Sequence, residues 1–159
     1  MQRIFDLVKS AYANLVVLAN SLRSPLLLFV RLYWGWQFAQ TGWGKLHNLD
    51  HVTQFFTSLG IPAPSDTAMF VGLVEFIGGI LFALGFGTRF VSAVLFVNMT
   101  VAFWAADREA FTGIFSAPDK FYGADPYTFW FASLLILAFG PGFFALDTLI
   151  ARCIAPKND

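Results

Sequence analysis

Four apolar stretches divide this 159-residue chain, and two of them enclose a single charge: Arg31 lies in the first and Glu75 in the second. A hydrocarbon core about 30 Å thick takes roughly 20 apolar residues per helical crossing, so the chain has room for four crossings and short connections. No space is left for a separate catalytic domain. The first stretch is expected to start at Pro25, where a missing N–H costs least, and to run to about Lys45. The others cover roughly Thr67 to Phe86, Arg89 to Ala106 and Tyr127 to Leu146. The expected fold is an all-α membrane protein: a four-transmembrane-helix bundle, residues 25–150, preceded by an amphipathic interfacial helix, 1–24, and followed by a short cytoplasmic tail, 151–159.

The N-terminal helix is read from Ile4, Phe5, Val8, Tyr12, Leu15, Val16 and Ala19 at helical spacing, with Arg3, Asp6, Lys9 and Asn14 between them. A cleaved signal peptide competes with this reading. Asp6 among the early charges, the short apolar run Leu15 to Ala19 and the lack of a small-residue cleavage site favour a retained helix. Gly85 and Gly87 precede Thr88 and Arg89 in a very short turn, so stretches two and three form an antiparallel hairpin. The longer connections, Leu46 to Asp66 and Asp107 to Pro126, then share the opposite side. Arg3, Lys9, Arg23, Arg89, Arg152 and Lys157 fall on the side of the termini against Lys45, Arg108 and Lys120 on the other. That excess predicts both termini in the cytoplasm, with Trp43, Trp104, Trp130, Tyr122 and Tyr127 as an aromatic belt at the outer boundary.

Composition agrees. Hydrophobic residues make up 57% and charged residues 13%, against about a quarter charged in soluble domains. Net charge is zero and no basic run occurs, so the footprint needed to hold a nucleic acid backbone is missing. The single Cys153 has no second cysteine with which to form a dithiol or a zinc site. Electron transfer would therefore require a cofactor or another subunit.

At 1.5 Å rise per residue, Glu75 and Asn98 lie roughly 16 and 14 Å above the cytoplasmic end of their helices; Gln37 is near 18 Å, Ser133 near 20 Å and Arg31 near 9 Å. Each helix thus offers a polar group near mid-depth. A lone charge there costs about 2.5–3.5 kcal/mol on insertion scales, and Arg31 is long enough to reach toward Glu75. Two readings follow. In one, Arg31 and Glu75 neutralise each other and pin two helices, with Gln37 and Asn98 as interhelical hydrogen-bond groups. In the other, the pair floors a pocket for a small polar head group, such as a quinone ring or a sulfur oxyanion, or relays a proton. Gly72, Gly78 and Gly79 flank Glu75 and form a groove able to admit a helix or a ligand.

His47 and His51 in H-N-L-D-H would share one face of a helix, but no third histidine exists to complete a catalytic metal site. They read as surface or interface residues, and no metal is expected. No dinucleotide fingerprint, Walker loop or nucleophile elbow occurs.

The order of Arg31, G-W-G-K at Gly42 to Lys45, V-E-F-I-G-G at Val74 to Gly79, L-G-F-G-T-R at Leu84 to Arg89 and F-G-P-G-F-F-A-L-D at Phe139 to Asp147 resembles the DoxX family. The likeness covers about residues 25 to 150. It implies a four-helix membrane bundle, usually bacterial, in the inner (plasma) membrane. It also implies association with quinone or sulfur-compound redox chemistry, at most as an accessory subunit of a membrane oxidoreductase, with a larger redox subunit or a stress-response complex as partner; a homo-oligomer is the other partner expected here. It marks Arg31, Lys45, Glu75, Arg89, Gly140, Pro141, Gly142 and Asp147; Ala145 stands where the family often has Ser. Pro141 and Gly142 are expected to kink the fourth helix. The function read here is a membrane redox-system subunit with lipid around it, with a quinone as its candidate ligand and no covalent cofactor expected, whose polar site comprises Arg31, Gln37, Glu75 and Asn98. A small-solute transporter or channel acting as an oligomer, and an assembly subunit binding partner helices through the glycine face, are the other two readings.

Overall fold

Every backbone N–H and C=O within hydrocarbon must find an internal partner, and helices provide this within one segment. A computed structural model describes residues 2–154 and is all-helical: α1 (Gln2–His47), α2 (Leu49–Ser58), α3 (Pro64–Leu84), α4 (Thr88–Ala106), α5 (Arg108–Thr112), α6 (Pro118–Gly123), α7 (Tyr127–Phe139) and α8 (Leu146–Ile154). Helices α1, α3, α4 and α7 close into a ring in which α1 packs on α3, α3 on α4, α4 on α7 and α7 back on α1. Leu27, Phe38, Phe82, Leu95 and Ile136 fill its centre. The connections α2, α5 and α6 cap the end opposite the termini. There Phe103 stacks on Phe121 with ring centroids 5.2 Å apart, and Trp130 Nε1 donates to Thr100 Oγ1 at 3.0 Å.

Three expectations need correction. Pro25 does not begin a helix: α1 runs through it unbroken for 46 residues, about 69 Å, more than twice the hydrocarbon thickness. One missing backbone hydrogen bond is not enough to end a helix whose flanking turns remain bonded. All residues from Arg3 to Arg23 are exposed, and packing begins at Ser24. The fourth crossing stops at Phe139 instead of Leu146, so α7 is only about 20 Å long. Gly140 (φ 79°) and Gly142 (φ 76°) adopt conformations that L side chains avoid, and Pro141 between them has no N–H, so this segment breaks the helix where a kink was expected. The chain then re-enters a helix as α8, which covers the start of the expected tail; residues 155–159, with Lys157, lie outside the described residues.

Breaking a helix at membrane depth frees carbonyls, and three arginines meet them. Arg89 Nη1 donates to Leu137 O at 3.2 Å, Arg23 Nη2 to Phe139 O at 3.0 Å, and the fully buried Arg31 donates to Phe144 O. Asp147 completes the closure. Its carboxylate accepts from the Gly87 N–H, the Thr88 N–H and the Thr88 hydroxyl at 2.7–2.8 Å, while its own N–H donates to Gly85 O at 2.9 Å. The α7–α8 corner is thereby tied to the α3–α4 turn. Gly85 sits there at φ 71°, and Arg31 occupies the space that a Cβ would need.

Glycines also set the α1–α3 crossing. A Cβ on Gly79 would lie 2.5 Å from Ala39 N, and one on Gly35 2.8 Å from Gly79 O; Gly42 meets the Phe76 and Gly72 backbone in the same way. The groove beside Glu75 is therefore filled by α1 of the same chain, and Gly78 faces Leu95 of α4. A partner helix has no access to it, which removes the assembly reading based on that face.

Two outcomes follow. Gly79→Ala is expected to force the α1 and α3 backbones apart and to cost about 1–3 kcal/mol in reversible unfolding in mixed micelles, whereas Gly123→Ala, with open space around it, should be neutral. Burial raises the Asp147 pKa, but the hydrogen bonds from Thr88 and Gly87 and the nearby Arg31 charge outweigh it and hold the carboxyl below the usual aspartate range. A depressed native value means that the stabilisation is complete above the unfolded pKa of about 3.9 and is lost as pH falls through the native value. The melting temperature of the wild-type protein should thus drop on acidification below about pH 4 by more than that of Asp147→Asn.

Candidate functional site

The arginine-rich corner lies at one end of the bundle; the second buried charge lies elsewhere. Glu75 is 1% exposed on the inner face of α3. Its partner is Lys45, in the last turn of α1, which forms an ion pair with Oε2; Asn98 of α4 donates to Oε1 at 3.2 Å. Arg31 and Glu75 do not meet. The antiparallel crossing places Gly35 beside Ala83 and Gly42 beside Phe76, so Arg31 faces Gly85, ten residues or about 15 Å along α3 from Glu75. No arginine side chain spans that distance.

The Lys45–Glu75–Asn98 group faces a cavity of about 440 Å³. Its deep walls are apolar, with Phe38 fully buried, Met99 nearly so, and Phe129 and Val71 beside them. Phe55 and Phe56 of α2 and the following Leu59, Ile61 and Pro62 form the roof. Asp107 and Asp125 line the cavity near the loops. Thr41 also lines it, but its hydroxyl is committed to Phe38 O at 3.0 Å. A few polar groups converging on an apolar concavity is the common form of a small-molecule site.

The hydrogen-bonding capacity left open is specific. Both Glu75 oxygens are engaged, whereas an ammonium has three donors and Lys45 uses one on Glu75. Two N–H groups thus remain for an acceptor at the cavity wall. The opposed charges of Lys45 and Glu75 leave the group neutral overall.

Of the residues expected in the polar site, Glu75 and Asn98 line the cavity. Gln37 is half-buried outside its lining and makes no hydrogen bond among the described residues, and Arg31 belongs to the corner. Lys45 was marked only by family likeness. The signal for its pairing was the Gly42–Gly72 spacing, which sets the register of α1 against α3 and brings position 45 near Glu75. Arg89, Gly140, Gly142 and Asp147, also marked by likeness, serve the corner. Ser133 is buried and donates to Phe129 O at 2.8 Å. His47 ends α1 and His51 lies in α2, so no single helix presents both; His47 packs on Trp43 with centroids 4.0 Å apart. Among the described residues no three His, Cys, Asp or Glu side chains converge as metal ligands would.

The family likeness read from the motifs has independent support. The DoxX family model matches residues 26–108, which include Arg31, Lys45, Glu75, Arg89 and Asn98 and exclude the Gly140–Asp147 corner. The inner membrane protein YphA of Escherichia coli (strain K12) is 30% identical over 138 residues, covering 79% of this chain and 90% of the relative. No solved structure matches the chain. With more than half of its length matched by the family and four apolar helices ringed about a buried polar group, this multi-pass membrane protein belongs to the DoxX family.

Proposed function

We propose that the chain is an accessory subunit of a membrane redox system and that its cavity holds the head group of a quinone. The observation that carries this reading is the pair of spare Lys45 donors at the wall of an aromatic-lined cavity. A quinone carbonyl is an acceptor without charge, and its flat ring suits walls formed by Phe38, Phe55, Phe56 and Phe129. A sulfur oxyanion fits less well: Glu75 already balances Lys45, Asp107 and Asp125 add carboxylates to the lining, and a dianion would find no further cation there. The link to redox chemistry rests on the family likeness.

The relative's name supports an inner-membrane location for this chain as well. Arg3, Lys9, Arg23, Arg89 and Arg152 at the end of the termini support a cytoplasmic orientation for that end. The exposed stretch of α1 from Arg3 to Arg23 then stands on the cytoplasmic side of the bundle, continuous with the first crossing through Pro25. A larger redox subunit is the expected electron-transfer partner.

Removing one partner of the Lys45–Glu75 pair strands a charge, so Lys45→Met alone should destabilise the protein by about 3–5 kcal/mol. The double variant Lys45→Met with Glu75→Gln removes both charges and should recover most of that loss. Mass spectrometry of gently solubilised protein is expected to find one quinone per wild-type chain and none in the folded double variant. A wild-type protein free of quinone, or a double variant that retains it, would refute the assignment.

A further inference from the structure

The face of α1 that points away from the bundle is not simply apolar. Arg31, Gly35, Phe38 and Gly42 point inward; on the opposite side, successive turns present Tyr33, Trp36, Gln40, Trp43 and Gly44. Gln40 is exposed and makes no hydrogen bond among the described residues. Its depth follows from the glycine crossing. Gly42 lies beside Phe76 and Ala39 beside Gly79, so Gln40 is at about the level of Gly78, roughly 21 Å from one end of α3 and 9 Å from the other. A glutamine side chain is too short to reach water from there.

An amide facing hydrocarbon with no partner is unfavourable, and membrane helices resolve it by pairing such groups across an interface. Gly44, one turn from Gln40, supplies the second ingredient. A Cβ at Gly44 would meet nothing within 4 Å, so an open notch lies beside the amide where another backbone can approach. Trp36 and Trp43, 63% and 52% exposed, stand along one side of this strip as large apolar surface. Small and hydrogen-bonding residues in one strip characterise helix–helix contacts in membranes.

We propose that this face docks a second copy of the chain, with Gln40 pairing to Gln40 across a two-fold axis along the membrane normal. A primary amide carries both donor and acceptor, so it is its own complement. Copies inserted the same way hold Gln40 at the same depth, and a two-fold axis places identical residues opposite each other. The two amides then exchange reciprocal N–H···O bonds, and the Gly44 notches let the α1 backbones come close. This interface is independent of the ligand assigned to the cavity.

The test uses the full chain in native membranes with Cys153→Ser, so that each introduced cysteine is unique. Gln40→Cys, Gly44→Cys and Val97→Cys are oxidised with copper phenanthroline. Val97, exposed beside Asn98 on α4, is the control at a similar depth. The expected result is a covalent dimer at twice the 17.7 kDa chain mass from positions 40 and 44 and none from 97. Dimer from all three positions, from none, or a disulfide from position 40 to a different polypeptide overturns the proposal. In a second arm, energy transfer between labelled copies is followed as vesicles are diluted with lipid. Gln40→Leu should weaken self-association about three- to tenfold, and an unchanged dissociation curve would rule out amide pairing.

Discussion

The closure of this bundle depends on one carboxylate. Asp147 gathers three donors from the start of α4 and returns its own N–H to the end of α3, and that contact set anchors the start of α8 to the α3–α4 turn after Gly140, Pro141 and Gly142 have ended α7. An α7 of about 20 Å is too short to cross a bilayer alone. The remaining depth is covered by an irregular segment, which a membrane tolerates only where protein satisfies its backbone. Arg23, Arg31 and Arg89 do so from two different helices, donating to Phe139, Phe144 and Leu137. The three arginines therefore act on backbone geometry.

The two intramembrane charges consequently have separate roles. Arg31 is a strut at the cytoplasmic-side corner under the proposed orientation, and Glu75 belongs to a polar group near the middle. The separation of about 15 Å is imposed by glycine contacts between α1 and α3, which allow only one register. Lys45 reaches inward to Glu75 from the opposite end of α1, with its stem along apolar surface and its ammonium in the cavity. That arrangement inverts the usual habit of a lysine near a helix end, which extends its charge toward water.

Much of the architecture was legible in the residues. Long apolar runs, the Gly85–Gly87 turn and helical-rise arithmetic located the hairpin and set Asn98 level with Glu75. Two things were hidden for physical reasons. Charge counting within hydrocarbon favours pairing Arg31 with Glu75, but pairing depends on register, which is set by backbone approach at Gly35, Gly42, Gly72 and Gly79. The end of α7 was obscured because Phe143, Phe144 and Leu146 continue the apolar pattern past the break. Hydropathy reports where a segment lies and says little about its backbone conformation. Only the closely spaced Gly140, Pro141 and Gly142 marked the change, and a kink and a break look alike at that level.

The same glycine contacts have a mechanical consequence. Backbone rests directly on backbone where α1 meets α3, with no flexible side chain between them to act as a spacer, so these two helices move as one stiff plank. Any change in the volume of the cavity must then come from its other walls. The aromatic roof on α2 and the α4–α7 pair are the parts free to breathe, while the α1 and α3 residues of the polar group, Lys45 and Glu75, remain on the fixed side.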